Sequence, residues 1–475
     1  MATEIKHSVA SPASTPESED VRSTSSTRNY SWFRGVFFNA TIVGVAAFTA
    51  PGLWNAMQAV GAGGQQTPYL VMAGNAILFA LMTFTCLAGS VLANRFGLKA
   101  AFIFGTSGYV LYSAALYCNN RYRTKWFIYL GSAACGITAG VFWAAEGAIM
   151  LSYPEPKNRG KYLAYWLAYR NGGSIIGGVI NLAFNYAGKK TGKLNWRTYI
   201  VFVVLQCFGP AVGCLLSPPE KVQRRNGTKV QISERIHTKD EIKAILKLLT
   251  RKDFLLVVPF FIYVTWNQPY ISAYVSLYFS VRARALASLV GAVSQICATL
   301  IMGSFLDWQR LSLNTRAKVS YIAMMSLIGG CWVWGIVVQR GYSHHKPALD
   351  WNDASFGRGW ALYVFWQVNF ALTYNYGYWL VGYMAKENRE IVRYTSVVRA
   401  VEAAGQCVAS GISSTKTPLI RETGVNFALW GLAVIPTYLV VRNIGVTLYG
   451  ADGEKGEDET PKLAEGGVKE IQVKH

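Results

Sequence analysis

Charge is scarce in this chain. Of its 475 residues, 15% are charged, against about 25% in soluble domains. That charge gathers in tails and short loops, leaving repeated apolar runs of about 20 residues. The pattern excludes an ordinary soluble domain and predicts a polytopic helical membrane protein. The ~10-residue alternating segments of a transmembrane barrel are missing. Histidine is absent from the apolar runs: His7, His237, His344, His345 and His475 all fall in tails or loops. Intramembrane chemistry on a buried imidazole therefore has no candidate. The eight cysteines form no CxxC or Cys/His spacing, so neither a disulfide framework nor a metal site is expected. No cofactor motif and no nucleophile–base constellation emerges, and an enzyme is not expected. Residues 1–30 hold Ser, Thr, Pro and Glu but almost no large apolar residue. They lack a signal-peptide core and read as a disordered tail.

What is present is a strong basic excess, a formal net charge of +21. Its largest cluster, Lys221 to Lys252, lies between hydrophobic halves, where anionic lipid headgroups rather than nucleic acid are the expected partner. The apolar runs predict twelve spans, at about 33–59, 68–93, 98–118, 126–152, 161–187, 197–216, 253–279, 284–306, 317–339, 358–384, 391–414 and 423–442. The expected organisation is a tail (1–30), a six-helix bundle (31–216), a basic linker (217–252), a second six-helix bundle (253–442) and a charged tail (443–475). The linker contains Ile242, Ile245, Leu246 and Leu249 at helical spacing, as in an interfacial helix. The basic linker and the even span count place both termini in the cytoplasm. Plasma membrane, vacuole and endoplasmic reticulum all fit.

Two charges stand out in the stretch from Trp143 to Gly178. Glu146 precedes the turn at Tyr153–Lys161 and Arg170 follows it, each roughly 10–14 Å inside its span at ~1.5 Å rise per residue. A charge at that depth needs a partner or water, so it marks a site. Two readings stay open: an ion pair that locks two helices, or part of a functional centre. The second half repeats the pattern. Glu146–Tyr153 parallels Tyr376–Tyr383, and Tyr162–Ile180 parallels Tyr394–Ile412, with Arg170 falling on Glu402 and Ser174 on Gln406. Arg399 joins Glu402 as the second-half charge pair. Such repeats belong to secondary transporters, with the site at the interface of the repeats.

Ser90-Val-Leu-Ala-Asn94-Arg95-Phe-Gly97-Leu-Lys99, between spans two and three, resembles the loop motif of the major facilitator superfamily. Gly303-Ser-Phe-Leu-Asp307 is its partial counterpart. Gly173-Ser174-Ile-Ile-Gly177-Gly178 resembles the fifth-helix signature of proton antiporters, with Ser in place of Pro. Gly52-Leu-Trp-Asn55-Ala-Met-Gln58 through Gly64, and Trp143-x-x-Glu146-Gly147 followed by Leu151-Ser-Tyr153-Pro, resemble the Unc-ninety-three-like branch of that superfamily, especially its fungal members. Many members carry Gln where this chain has Glu146.

The resemblance implies two pseudo-symmetric six-helix bundles around a cavity lined by spans one, four, seven and ten. The candidates on those spans are Asn55 and Gln58, Trp143 and Glu146, Trp266, Asn267 and Gln268, and Gln367, Asn375 and Tyr376. Prolines inside spans one and seven, Pro51 and Pro269, free backbone carbonyls and suit a gate. The expectation is a solute carrier working by alternating access, with Glu146 offering a titratable group for proton coupling. The alternative is a transporter-shaped regulator or escort of another membrane protein.

Overall fold

The computed structural model describes residues 31–446 other than 66–67, 156–158, 189, 191, 225–229, 231–237, 386–387 and 416. The expected tails lie outside the described residues, save 443–446. The first span is broken into α1 (Val36–Ala47) and α2 (Leu53–Ala59). There follow α3 (Tyr69–Phe96), α4 (Leu98–Tyr122), α5 (Trp126–Ser152), α6 (Arg159–Asn185) and α7 (Trp196–Gly213). Beyond the short α8 (Thr238–Leu249) come α9 (Lys252–Tyr278), α10 (Val281–Leu306), α11 (Leu313–His345), α12 (Phe356–Met384), α13 (Asn388–Ser414) and α14 (Leu419–Val441). With α1 and α2 taken as one, the described residues hold twelve long helical segments, as the apolar runs predict.

Among the described residues, nine of these are long and apolar enough to cross a membrane on composition alone. The three that fall short are α6, α12 and α13. They carry Arg170, the amides Gln367, Asn369 and Asn375, and the Arg399–Glu402 pair, so their polar content turns inward rather than toward lipid.

Pro51 explains the break in the first span. It lacks an N–H and cannot continue the helical ladder, and the chain widens into a π-type turn over Phe48–Gly52. At the loop motif, Gly97 separates α3 from α4 with φ 86°, a left-handed conformation that glycine adopts without penalty. Arg95 there is exposed and Lys99 half-buried, and the Asn94 side chain lies outside the described set. Asp307 caps the end of α10, its N–H donating to the Gly303 carbonyl at 2.9 Å.

The helices pack as two bundles. In the first, α4 lies against α5 and α7, α3 against α5, and α1 against α6 and α7. In the second, α9 lies against α13 and α14, α10 against α12, and α11 against α12 and α14. Each bundle has its own buried apolar cluster, one drawn mainly from residues 36–222 and the other from 248–444. Across the seam, α3 packs on α13, and α6 and α2 pack on α10.

The two ends of the molecule differ. On one, here the linker side, Gln223 receives the Ser31 N–H at 2.7 Å, and Tyr153 donates its hydroxyl to the Ser217 carbonyl at 2.8 Å. On the far side, the α2–α3 loop, the α6–α7 loop and the start of α10 interlock across the seam. Val281 and Arg282 donate backbone N–H groups to the Lys190 and Gly188 carbonyls at 3.0 and 2.9 Å. Ser272 accepts the Ala62 N–H at 2.8 Å.

Candidate functional site

A cavity of about 600 Å³ lies at the middle of the helices, walled by both bundles. Pro51, Asn55 and Gln58 of the first span, Trp143 of α5, Gln268 of α9, and Gln367 and Asn375 of α12 stand on its wall. Further wall comes from helices the sequence comparison did not nominate: Asn75 of α3, Gln295 of α10, Arg170 and Asn171 of α6, and Arg399 and Gln406 of α13. Asn75, Asn171 and Gln295 escaped the sequence reading. Asn75 and Gln295 are each the single amide of their span and Asn171 directly follows Arg170, and a lone polar group at mid-depth or one beside a charge is the signal that could have found them.

Four nominated residues sit elsewhere. Tyr376 is fully buried inside the second bundle, where its hydroxyl donates to the Ala317 carbonyl at 2.9 Å. Asn267 is buried next to Gln268, whose Nε2 donates to its Oδ1 at 3.1 Å. Trp266 borders a separate small pocket with Ser413 and Glu422. Glu146 lies behind the wall, 1% exposed. Trp266, Asn267 and Tyr376 are sequence neighbours of lining residues, and a helix offers its cavity face only every three or four residues. Glu146, one turn from Trp143, is bonded instead to Trp166 of α6.

Some wall amides are held in place. Gln58 Nε2 donates to the Tyr112 hydroxyl at 2.8 Å, that hydroxyl donates to Asn75 Oδ1 at 2.8 Å, and Asn75 Nδ2 returns to Gln58 Oε1 at 3.2 Å. The ring spends each group on another and fixes all three side chains. Gln295 Nε2 donates to Gln367 Oε1 at 2.8 Å.

At the linker-side end of the cavity four residues meet. The Arg399 guanidinium lies 4.0 Å from the Trp143 ring centroid and 5.4 Å from that of Tyr374. The Arg170 guanidinium faces the same two rings at 4.9 and 5.9 Å. Each bundle supplies one arginine and one aromatic ring, so two of these cation–π contacts cross the seam. Arg399 also donates to Glu402 Oε2 at 2.9 Å, and the Tyr378 hydroxyl donates to the same oxygen at 3.3 Å. Glu146 and Arg170 form no ion pair. One turn below Trp143, Glu146 Oε1 instead accepts the Trp166 indole N–H at 2.5 Å.

Residues 66–331 match the family described as ion channel regulatory protein UNC-93. The notoamide biosynthesis cluster protein O' of Aspergillus versicolor is 41% identical over 418 residues, spanning 87% of this chain and 90% of that protein. The chain belongs to the UNC-93 family. UNC93-like protein 1 of Arabidopsis thaliana is 28% identical over 426 residues, 86% of this chain and 92% of the relative. The UNC-93 match runs from the start of α3 into α11, so it includes Trp143, Glu146 and Arg170 but not Arg399 or Glu402.

Solved transporters share the fold. A peptide transporter POT in complex with sulfate superposes with a TM-score of 0.61 at 12% identity, covering 85% of this chain and 94% of that one. The nucleoside transporter NupG gives 0.57 at 11% identity, covering 85% and 98%. This UNC-93 protein is thus a multi-pass integral membrane protein of major-facilitator architecture, a transporter-like or regulatory molecule.

Proposed function

We propose that this protein carries a small solute across a membrane by alternating access. The observation that carries the reading is the central cavity, walled by both bundles and lined with amides and two arginines. A binding site at the interface of repeats is where such carriers hold their cargo. Asn55, Asn171 and Gln406 on its wall make no hydrogen bond to the protein among the described residues, leaving their amides for a ligand. The moving units are residues 31–216 and 253–442, joined by the linker 217–252. With the linker and both termini in the cytoplasm, the interlocked far side faces outward, and this state is closed to the outside.

The linker helix α8 supports a membrane-surface role. Ile245, Leu248 and Leu249 pack on the second bundle, while Ile242 and Leu246 remain 48% and 57% exposed. An exposed apolar pair on a basic segment suits an anionic lipid surface.

A second reading follows from the family's description as an ion channel regulator: the same architecture binding another membrane protein and moving nothing. Flux decides between them. Purified protein in liposomes, screened against a metabolite panel with and without a pH gradient, should show saturable uptake of at least one compound. Uptake should fall when Gln367 or Asn55 is replaced by Ala. Absence of any flux, with one membrane protein co-purifying in stable proportion, would favour the regulator.

A further inference from the structure

The charged side chains on the wall of the cavity are Arg170 and Arg399, both cationic, and no Asp or Glu lines it among the described residues. The two arginines are not equally satisfied. Arg399 has its carboxylate in Glu402, 2.9 Å away. Arg170 has the faces of Trp143 and Tyr374 but no carboxylate within ion-pair distance and no hydrogen-bond acceptor among the described residues, and its Nε is a buried donor without a partner. A guanidinium carries five N–H donors in a planar fork that matches a carboxylate. Holding one at membrane depth with no acceptor is costly, so such a residue faces something the protein does not itself supply. Glu146 is on the other helix of the hairpin, but its Oε1 is taken by Trp166 and it stands behind the wall.

The rest of the wall narrows the ligand. Trp54, Phe79, Phe370 and Tyr374 offer ring faces, and the unpaired amides of Asn55, Asn171 and Gln406 offer neutral hydrogen-bond groups. We infer that Arg170 seats the carboxylate of an anionic solute whose aromatic or otherwise apolar body lies against these rings. The inference names the cargo class for the carrier proposed above and rests on that reading for movement, though not for binding. A fully polar dianion would leave the ring faces unmatched. A cationic amine would meet two guanidinium groups and no carboxylate on the wall.

The test uses three probes of one shape and three charges: indole-3-acetate, the neutral indole-3-acetamide and cationic tryptamine. Thermal stabilisation of the purified full-length protein is measured at millimolar concentrations of each. The acid should stabilise the wild type, and the amide and amine should not. Arg170→Gln should weaken acid binding at least about tenfold, the loss of one charge-assisted contact. Arg170→Lys keeps the charge and loses the fork. It should bind the acid more weakly than wild type but still above the amide, which covers the case in which Arg170→Gln does not fold. Glu146→Gln removes the internal carboxyl that shares the hairpin with Arg170 and should leave acid binding equal or tighter. Equal stabilisation by all three probes, stabilisation by none, or undiminished acid binding in Arg170→Gln would each overturn the inference. Uptake of a neutral solute unaffected by Arg170→Gln would overturn it while leaving transport intact. Arg170-dependent acid binding without flux would uphold it while transport fails.

Discussion

Arg284 of α10 donates from Nη2 to the Gly61 carbonyl, 2.8 Å across the seam between the two bundles. The same guanidinium reaches the Val60, Gln65 and Gly192 carbonyls at 2.7, 2.9 and 2.8 Å. It is 0% exposed and has no carboxylate beside it among the described residues, so four backbone dipoles from the other bundle serve as its counter-charge. Nearby, Ser288 Oγ donates to the Ala56 carbonyl at 2.8 Å and receives Asn181 Nδ2 at 3.0 Å. Together these contacts hold the far side shut.

Arg284→Gln should therefore loosen the far side. The shorter side chain cannot reach four carbonyls, and stranding buried acceptors costs about 3 kcal/mol or more. The melting temperature should drop. A cysteine placed at Ser272, on a background with Cys207, Cys214 and Cys297 replaced, should react faster with an impermeant thiol reagent added from the far side. If neither quantity changes, Arg284 does not hold the seam.

Arg284 also marks where sequence reasoning runs out. The twelve spans were legible because apolar runs of membrane length need no partner to identify them, and the Pro51 break was legible from one residue. Arg284 sits at the end of a span, where an arginine reads as snorkelling to the interface. Its burial comes from loops at 60–65 and 192, more than ninety residues away, and no local pattern encodes that meeting. The cavity was partly legible for the same reason. The polar residues at mid-depth announced a site, but which face of each helix looks inward depends on the neighbouring bundle. Glu146 and Arg170 share a depth in sequence, while their aromatic partners, Trp166 and Trp143, are set by how α5 packs beside α6.

Glu146 can be divided into a hydrogen-bonding part and a charge. Glu146→Gln keeps an oxygen for the Trp166 indole, so stability should change by less than about 1 kcal/mol. Glu146→Leu strands that buried N–H and should cost about 1–3 kcal/mol. Comparing melting curves with solute uptake separates the roles. Lost uptake in a stable Glu146→Gln protein assigns the charge to function, and retained uptake assigns the residue to structure.

Two glycines of α5 should respond oppositely to alanine. A Cβ on Gly136 would lie 2.3 Å from the Leu78 carbonyl oxygen of α3, a backbone atom that cannot swing aside. Gly136→Ala should push α3 from α5 and cost about 1–3 kcal/mol. A Cβ on Gly147 meets nothing within 4 Å. Gly147→Ala should raise stability by up to about 1 kcal/mol through better helix propensity. Should Gly147→Ala abolish uptake in a stable protein, the open space beside Glu146 is filled in the other conformation of the cycle.

The far-side loop between α11 and α12 gives a pH prediction. The Asp350 carboxylate accepts Arg282 Nε at 2.8 Å and the Ser280 hydroxyl at 2.6 Å, with Arg282 Nη2 on its other oxygen. These donors, Arg282 foremost, hold the Asp350 carboxyl below the usual carboxylate range, and the neighbouring Asp353 is occupied by the Asp350 N–H at 2.6 Å. A folded-state value lower than the unfolded one makes the ionised form the stabilising form. The contribution is fully present above the unfolded value of about 4 and is lost as pH falls through the lower folded value. Wild-type melting temperature should thus decline steeply below about pH 4. Asp350→Asn should melt lower than wild type at neutral pH, because Arg282 loses its anion. It should also decline less in acid, so the two curves converge. Curves that stay parallel through the acid range would show that Asp350 ionisation does not stabilise the far-side loop.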